Sequence, residues 1–377
     1  MRKVVIPYQD IYCSPRLISR EHMPVTGPCF IYANHSNNFD PFLINHEMTR
    51  EPTAGVMTRY QFYKFFPRLF MDSIGVVPTN KYEPDPGIIR KVMKMIDQKR
   101  MIVIFPEGGR RWDGRPKPFI ESTLKLFWRM RLPVHPVQLQ GSYLNWPRWA
   151  DYCRPGSIEI HWLYPIHPKD FSDFSTFATH CKSVLDFDEY NPPHSALPAK
   201  AKKPANGIDR LLYRCPVSGV PNSVYSPDGE HIYSRTSGAF AFRMDKDSRL
   251  VDRQGKRHSL INVYDGIRRL PIPANKKGVV IPKIPCRVYL HNEHELLTSL
   301  GKGRIELMEN LVVLWFGSER VQLPLEELRY ISIEKNDKLM LTTKDVSYMV
   351  DMGSESALKW QHYIRRLQNG ESTVSSL

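Results

Sequence analysis

The sequence predicts an α/β domain with a mostly parallel central sheet flanked by helices, followed by a mainly β C-terminal region that ends in a helix. Three observations predict it. Short apolar runs alternate with amphipathic stretches through the first half, a Pro-, Ala- and Lys-rich segment then breaks that pattern, and strand-like runs at short spacing fill the last third. At 377 residues the chain is long for one ordinary domain, and 41% hydrophobic and 11% aromatic residues are enough to bury more than one core.

The elements follow in order. Cys29–Ala33 (CFIYA), Met101–Phe105 (MIVIF), Val134–Leu139 (VHPVQL) and Ser157–Tyr164 (SIEIHWLY) read as buried strands. Pro41–Met48, Arg59–Ser73, Asp85–Lys99, Pro118–Arg131 and Asp170–Phe187 read as amphipathic helices. Strands separated by helices pair in parallel, because a parallel pair needs a long crossover. Asn191–Gly207 (NPPHSALPAKAKKPANG) has no periodicity and reads as a linker. Leu211 to about Pro273 shows short strands and turn signals such as SPDG and DKDS. Beyond Tyr289 come RIELM, NLVVLWF, ERVQLPL, RYISIE, KLMLTT and VSYMV, then a helix at Glu355–Leu367 with Ala357, Trp360, Ile364 and Leu367 on one face. The expected division is 1–190, a linker at 191–210, a small β-rich region at 211–285, a strand-rich module at 286–370 and a disordered tail at 371–377.

The formal net charge of +14 calls for an anionic partner: nucleic acid, an anionic membrane surface or a phosphorylated substrate. The basic residues near the motifs are interleaved with apolar strands and form no recognition signature, so nucleic acid is set aside. Thr58–Phe70 (TRYQFYKFFPRLF) mixes aromatic and basic residues as an interfacial helix does, although a core-facing aromatic helix would look the same. No segment reads as transmembrane and the N-terminus has no apolar signal core, so the expected location is cytoplasmic, peripheral on the inner face of a membrane. The six cysteines include no CxxC pair, which argues against a disulfide framework and a zinc ribbon; Cys215 in RCPVSG lacks a partner, and no metal is implied.

Two loops carry candidate chemistry, each directly after a predicted strand, where open α/β sheets place their ligands. In Asn34-His35-Ser36-Asn37-Asn38-Phe39-Asp40, a histidine can act as a base near neutrality, and an aspartate five residues on can orient it. Asp40 before Pro41 is equally a good helix start, so capping and catalysis compete for the same carboxylate. In Phe105-Pro106-Glu107-Gly108-Gly109-Arg110-Arg111, two glycines allow backbone N–H groups to turn toward an anion, and the arginines supply forked donors for phosphate. A plain glycine turn with solvated arginines fits as well.

Taken together, the loops resemble the glycerol-phosphate and lysophospholipid acyltransferase family. Its His-x4-Asp motif is matched by His35 and Asp40, and its Glu-Gly-x-Arg motif by Glu107, Gly108 and Arg110. A Gly-x5-Arg stretch is matched by Gly75 to Lys81, with lysine for arginine, and a proline-centred strand motif by Leu132–Val137 around Pro136. The motifs occur in family order, and the resemblance covers roughly Gln9 to Phe187. It implies that His35 deprotonates an acceptor hydroxyl, that Asp40 orients His35, and that Lys81, Glu107, Gly108, Gly109 and Arg110 form the phosphate site. It further implies that Asn34, Gly75 and Pro136 line the acyl or acceptor pocket. The implied acceptor is a glycerol phosphate or lysophospholipid; the co-substrate is acyl-CoA or acyl carrier protein, with no bound cofactor. A catalytically inactive lipid-binding adaptor is the alternative. Lys81, Gly109 and Arg111 depart from the usual pattern, and the acceptor can differ accordingly. The C-terminal strands and the Trp360 helix resemble a pleckstrin-homology or GRAM-type module.

Overall fold

A computed structural model describes residues 10–46, 48, 53–58, 75–79, 86–196, 201–291 and 297–375. The chain divides into two compact units. The first comprises residues 1–206 with 228–230 and 243–261; the second comprises 207–227, 231–242 and 262–377.

The first unit is built on seven strands: β1 (Arg16–Ile18), β2 (Cys29–Ala33), β3 (Ala54–Thr58), β4 (Val76–Thr79), β5 (Met101–Ile104), β6 (Val134–Gln140) and β7 (Glu159–Trp162). They lie in the order β1-β7-β6-β2-β5-β3-β4. Neighbours run parallel except β6 and β7. All five residues of β2 are buried, as a strand covered on both faces requires. Its side chains alternate between two cores. Phe30 and Tyr32 join Ile102 and Ile104 of β5 under α2 (Pro86–Asp97), α3 (Glu121–Met130) and α5 (Phe174–Ser183), which contribute Val92, Phe127 and Phe177. Cys29, Ile31 and Ala33 join Met101 and Val103 on the other face, with Leu43 and Ile44 of the short α1 (Asp40–Ile44). A further short helix, α4 (Ser142–Asn145), follows β6 directly. Asp173 caps α5 by accepting from the Thr176 N–H at 2.8 Å. The strands β1, β3 and β4 are additions to the expected set: AGVMT and VVPT are short and mildly apolar, and become strands through pairing.

Residues of the expected linker are partly packed. Ala196 and Ala205 are buried, and the Pro204 carbonyl accepts from the buried Arg154 guanidinium at 2.6 Å. Arg154 also donates to the Ser248 hydroxyl, within the same unit.

The second unit carries a seven-stranded antiparallel sheet. Its strands are β8 (Val279–His291), β9 (Leu297–Met308), β10 (Leu311–Phe316), β11 (Glu319–Pro324), β12 (Tyr330–Glu334), β13 (Lys338–Thr342) and β14 (Ser347–Asp351), in the order β11-β10-β9-β8-β14-β13-β12. Helix α6 (Leu260–Arg269) stands where short strands and turns were expected; Leu260, Tyr264 and Ile267 are buried at helical spacing. The terminal helix α7 (Ala357–Gln368) starts at Ser356, whose hydroxyl accepts from the Lys359 N–H, and buries Ala357, Trp360 and Ile364. Thr373–Ser375, expected within a disordered tail, form a short strand parallel to Ile272–Ala274.

Candidate active site

Because β2 and β5 are parallel neighbours, the loops leaving them open at the same sheet edge. The β2 loop is held tightly by Asp40. Its Oδ2 lies 2.9 Å from His35 Nδ1 and also accepts the backbone N–H groups of Ser36 (2.7 Å) and Asn37 (2.8 Å). Its Oδ1 accepts from the Ser142 hydroxyl of α4. The carboxylate therefore reaches back into the loop, although Asp40 also begins α1. With a carboxylate acceptor at Nδ1, that nitrogen carries the proton and Nε2 is the basic one. Burial lowers the His35 imidazole below its ordinary value, against the opposing hydrogen bond and charge of Asp40. The ring stacks on Phe105 at 4.4 Å and retains 19% side-chain exposure, so it is still accessible.

The β5 loop closes as a turn, with Gly108 at φ 66° and its N–H donating to the Phe105 carbonyl at 3.1 Å. The Gly108 N–H thus closes the turn and does not point at an anion. The Gly109 carbonyl accepts from Lys117 Nζ at 3.2 Å. The two arginines separate. Arg110 is partly exposed and coupled electrostatically to both His35 and Asp40; desolvation pulls its guanidinium down to about 10. Arg111 is fully buried: Nε contacts both Glu107 oxygens at 3.0 Å, Nη2 donates to Glu107 at 2.6 Å, and Nη1 donates to Glu189 at 3.1 Å. Burial works against its charge, but Glu107 and Glu189 more than compensate and raise it. Glu107 is thereby committed to Arg111, and the Arg111 N–H donates to the His35 carbonyl at 2.9 Å.

The remaining expected residues distribute as follows. Lys81 and most of Thr58–Phe70 lie outside the described residues. Asn34 is fully buried; its amide exchanges hydrogen bonds with Leu139 of β6 (Oδ1 from the N–H at 2.8 Å, Nδ2 to the carbonyl at 3.2 Å), so it ties strands together and does not line a pocket. Gly75 precedes β4, at φ 75°; since β4 and β5 run in the same direction, Gly75 sits at the end of the sheet opposite the two loops. Pro136 is buried within β6 opposite Tyr32, as part of the sheet.

The sequence reading missed Asn37, Ser142, Asn145 and Glu189. Asn37 donates to Asn145 at 2.9 Å and accepts the Phe39 N–H at 2.9 Å, which fixes the loop against α4. Glu189 accepts from Asn34 (3.0 Å), Ser36 (2.8 Å) and Arg111, and burial pushes its carboxyl up to about 7. Among the described residues, no three His, Cys, Asp or Glu converge as metal ligands, and no helix is long and apolar enough to cross a membrane.

Residues 15–140 match the protein-family model for acyltransferases. A 1-acyl-sn-glycerol-3-phosphate acyltransferase from Limnanthes alba is 30% identical over 111 residues, 29% of this chain and 39% of that protein. Overall the chain spans 39–46% of the length of the curated relatives it matches. Among solved structures, the 1-acyl-sn-glycerophosphate acyltransferase PlsC of Thermotoga maritima aligns with TM-score 0.43 and 19% identity, covering 49% of this chain and 75% of that one. The N-terminal PH domain of human ARAP2 aligns with TM-score 0.21 and 9% identity, covering 28% and 90%.

Proposed function

We propose that the acyltransferase-family domain of residues 15–140 works as an O-acyltransferase, moving a fatty acyl group from a thioester to the hydroxyl of a glycerol phosphate or lysophospholipid. The observation that carries this reading is the pairing of His35 Nδ1 with the buried Asp40 carboxylate at 2.9 Å, on a ring that remains accessible. Nε2 takes the proton of the acceptor hydroxyl as its oxygen attacks the thioester carbonyl. Asp40 stabilises the imidazolium so formed, the carbon–sulfur bond breaks, and the departing thiolate recovers the proton. The lowered imidazole is neutral at pH 7 and so available as a base.

Arg110, beside the pair, is the candidate for the acceptor phosphate, with Lys81 as a second cation from the segment after β4. The curated relatives named for 1-acyl-sn-glycerol-3-phosphate support a phosphorylated acceptor. Acyl-CoA or acyl carrier protein serves as donor. The net charge of +14 supports work at an anionic membrane surface, reached peripherally from the cytoplasmic side.

The test is transfer of radiolabelled acyl groups from acyl-CoA or acyl carrier protein to a panel of glycerol-3-phosphate, lysophosphatidic acid and other lysophospholipids. New labelled lipid, absent with His35→Ala, is the expected result. No product with any acceptor would replace this reading with an inactive lipid-binding adaptor.

A further inference from the structure

The proposed chemistry uses the open side of the His35 loop, whereas Glu189 lies among buried groups that hold the loop's backbone. It follows α5 in the stretch Asp186–Tyr190 and is 1% exposed. One oxygen, Oε1, accepts from Ser36 Oγ at 2.8 Å, Asn34 Nδ2 at 3.0 Å and Arg111 Nη1 at 3.1 Å. Asn34 and Ser36 are the two residues flanking His35, and the Arg111 N–H donates to the His35 carbonyl. A single carboxylate oxygen therefore gathers three groups that fix the backbone around residue 35. The other oxygen, Oε2, is buried without a hydrogen-bond partner among the described residues. A half-satisfied buried carboxylate is costly, and apolar side chains would fill the same space with less penalty. What the carboxylate supplies is geometry: an acceptor at this point holds Asn34, Ser36 and Arg111 at once.

We propose that Glu189 is a positioning residue for the transfer, its Oε1 holding the backbone on both sides of His35 so that the imidazole faces the acceptor hydroxyl. The inference rests on the reading of His35 as the base. Misplacement of a reacting group by about 1 Å can cost as much as about 10²-fold in rate.

The experiment compares full-length wild type, Glu189→Gln and Glu189→Ala by labelled acyl transfer and by the ¹⁵N resonances of the His35 ring. Gln keeps an acceptor oxygen in the same shape, whereas Ala removes it. Glu189→Ala should lower kcat at least about tenfold with the acceptor KM within about twofold, and should shift the His35 ring resonances; Glu189→Gln should stay within about threefold of wild type on kcat. A merely structural residue would lower the unfolding temperature of Glu189→Ala while kcat per folded molecule and the His35 resonances stayed put, and that outcome overturns the proposal. A folded Glu189→Gln as impaired as Ala overturns it too. Should Glu189→Ala not fold, Ser36→Ala removes one donor to the same oxygen: a shift of the His35 resonances with lowered kcat supports the proposal, and no change in either overturns it. If the wild type shows no transfer at all, the functional reading fails separately, and the resonance comparison still decides the placement of His35.

Discussion

Beneath the His35 loop the first unit buries Asp40, Glu107, Arg111 and Glu189 together with Asn34, Ser36, Asn37, Ser142 and Asn145. The second unit buries Val288, Ile305, Leu307, Leu314, Leu339, Leu341, Val350, Trp360 and Ile364. Its buried ammonium, Lys359, is paired with Glu355 and donates to Asn222 at 2.8 Å. The second interior rests on non-directional apolar contact, which tolerates repacking. The first rests on directional hydrogen bonds and shared charge, where removing one partner strands the others. Stability alone would favour the second kind of interior. The first is what a site needs, because it fixes one imidazole in one orientation.

Substitutions at matched depth break this comparison. Arg111→Ala should destabilise by about 3–5 kcal/mol, since Glu107 and Glu189 are left buried without their cation, and should abolish transfer as well. Trp360→Ala should cost a similar 3–5 kcal/mol through cavity formation, yet leave turnover per folded molecule unchanged. Thermal unfolding read alongside single-turnover transfer checks both; equal losses of turnover would erase the distinction.

His35→Ala is the reverse case, a large catalytic loss without a stability loss. We expect kcat to fall by about 10²–10⁴-fold with the unfolding temperature essentially unmoved. The pH profile sharpens it. Since the folded imidazole lies below its ordinary value of 6.5, kcat/KM should fall on an acid limb centred below 6.5. An acid limb centred above 6.5 would contradict the buried setting of the ring.

Arg110→Ala comes next. Loss of a charge-assisted phosphate contact, about 1.5–3 kcal/mol, should raise the acceptor KM by roughly ten- to 10²-fold with the thioester KM unchanged. The opposite pattern would assign Arg110 to the phosphates of the donor. The smallest effect belongs to Ser356→Ala at the start of α7. There the hydroxyl caps Lys359 and donates to the Arg210 carbonyl at 2.8 Å; the cost should be about 1 kcal/mol in unfolding, with no effect on transfer.

The buried strands of the first unit were legible because both faces of the sheet are covered, which leaves continuous apolar runs such as Cys29–Ala33. The loop residues were legible because His35 and Asp40 lie five apart, close enough for one turn to join them. What stayed hidden acts over distance. Ser36 and Glu189 are 153 residues apart, and no motif or spacing in the sequence links them. Arg110 and Arg111 look interchangeable in the sequence; only the fold sends one toward the pair and the other into the interior. The position of Gly75 before β4 was not legible, because a motif's spacing does not say which end of a strand it occupies. Helix α6 was obscured by the turn signals around it, although Leu260, Tyr264 and Ile267 already carry its spacing.

The hydrogen bonds around Asp40 also set a schedule for the nascent chain. The loop at 34–40 leaves the ribosome before the groups that hold it: the Ser142 hydroxyl that meets Asp40 and the Glu189 carboxylate that meets Asn34 and Ser36 follow 102 to 155 residues later. At about 5–20 residues per second of synthesis, the histidine waits many seconds before its surroundings are complete. A fragment ending at residue 140 would carry the His35, Asp40, Glu107 and Arg110 motif residues, and it would still leave Asp40, Ser36 and Arg111 short of their partners. Contacts of such long range form late, so the geometry around His35 should be among the last features to appear on refolding, after the sheet itself.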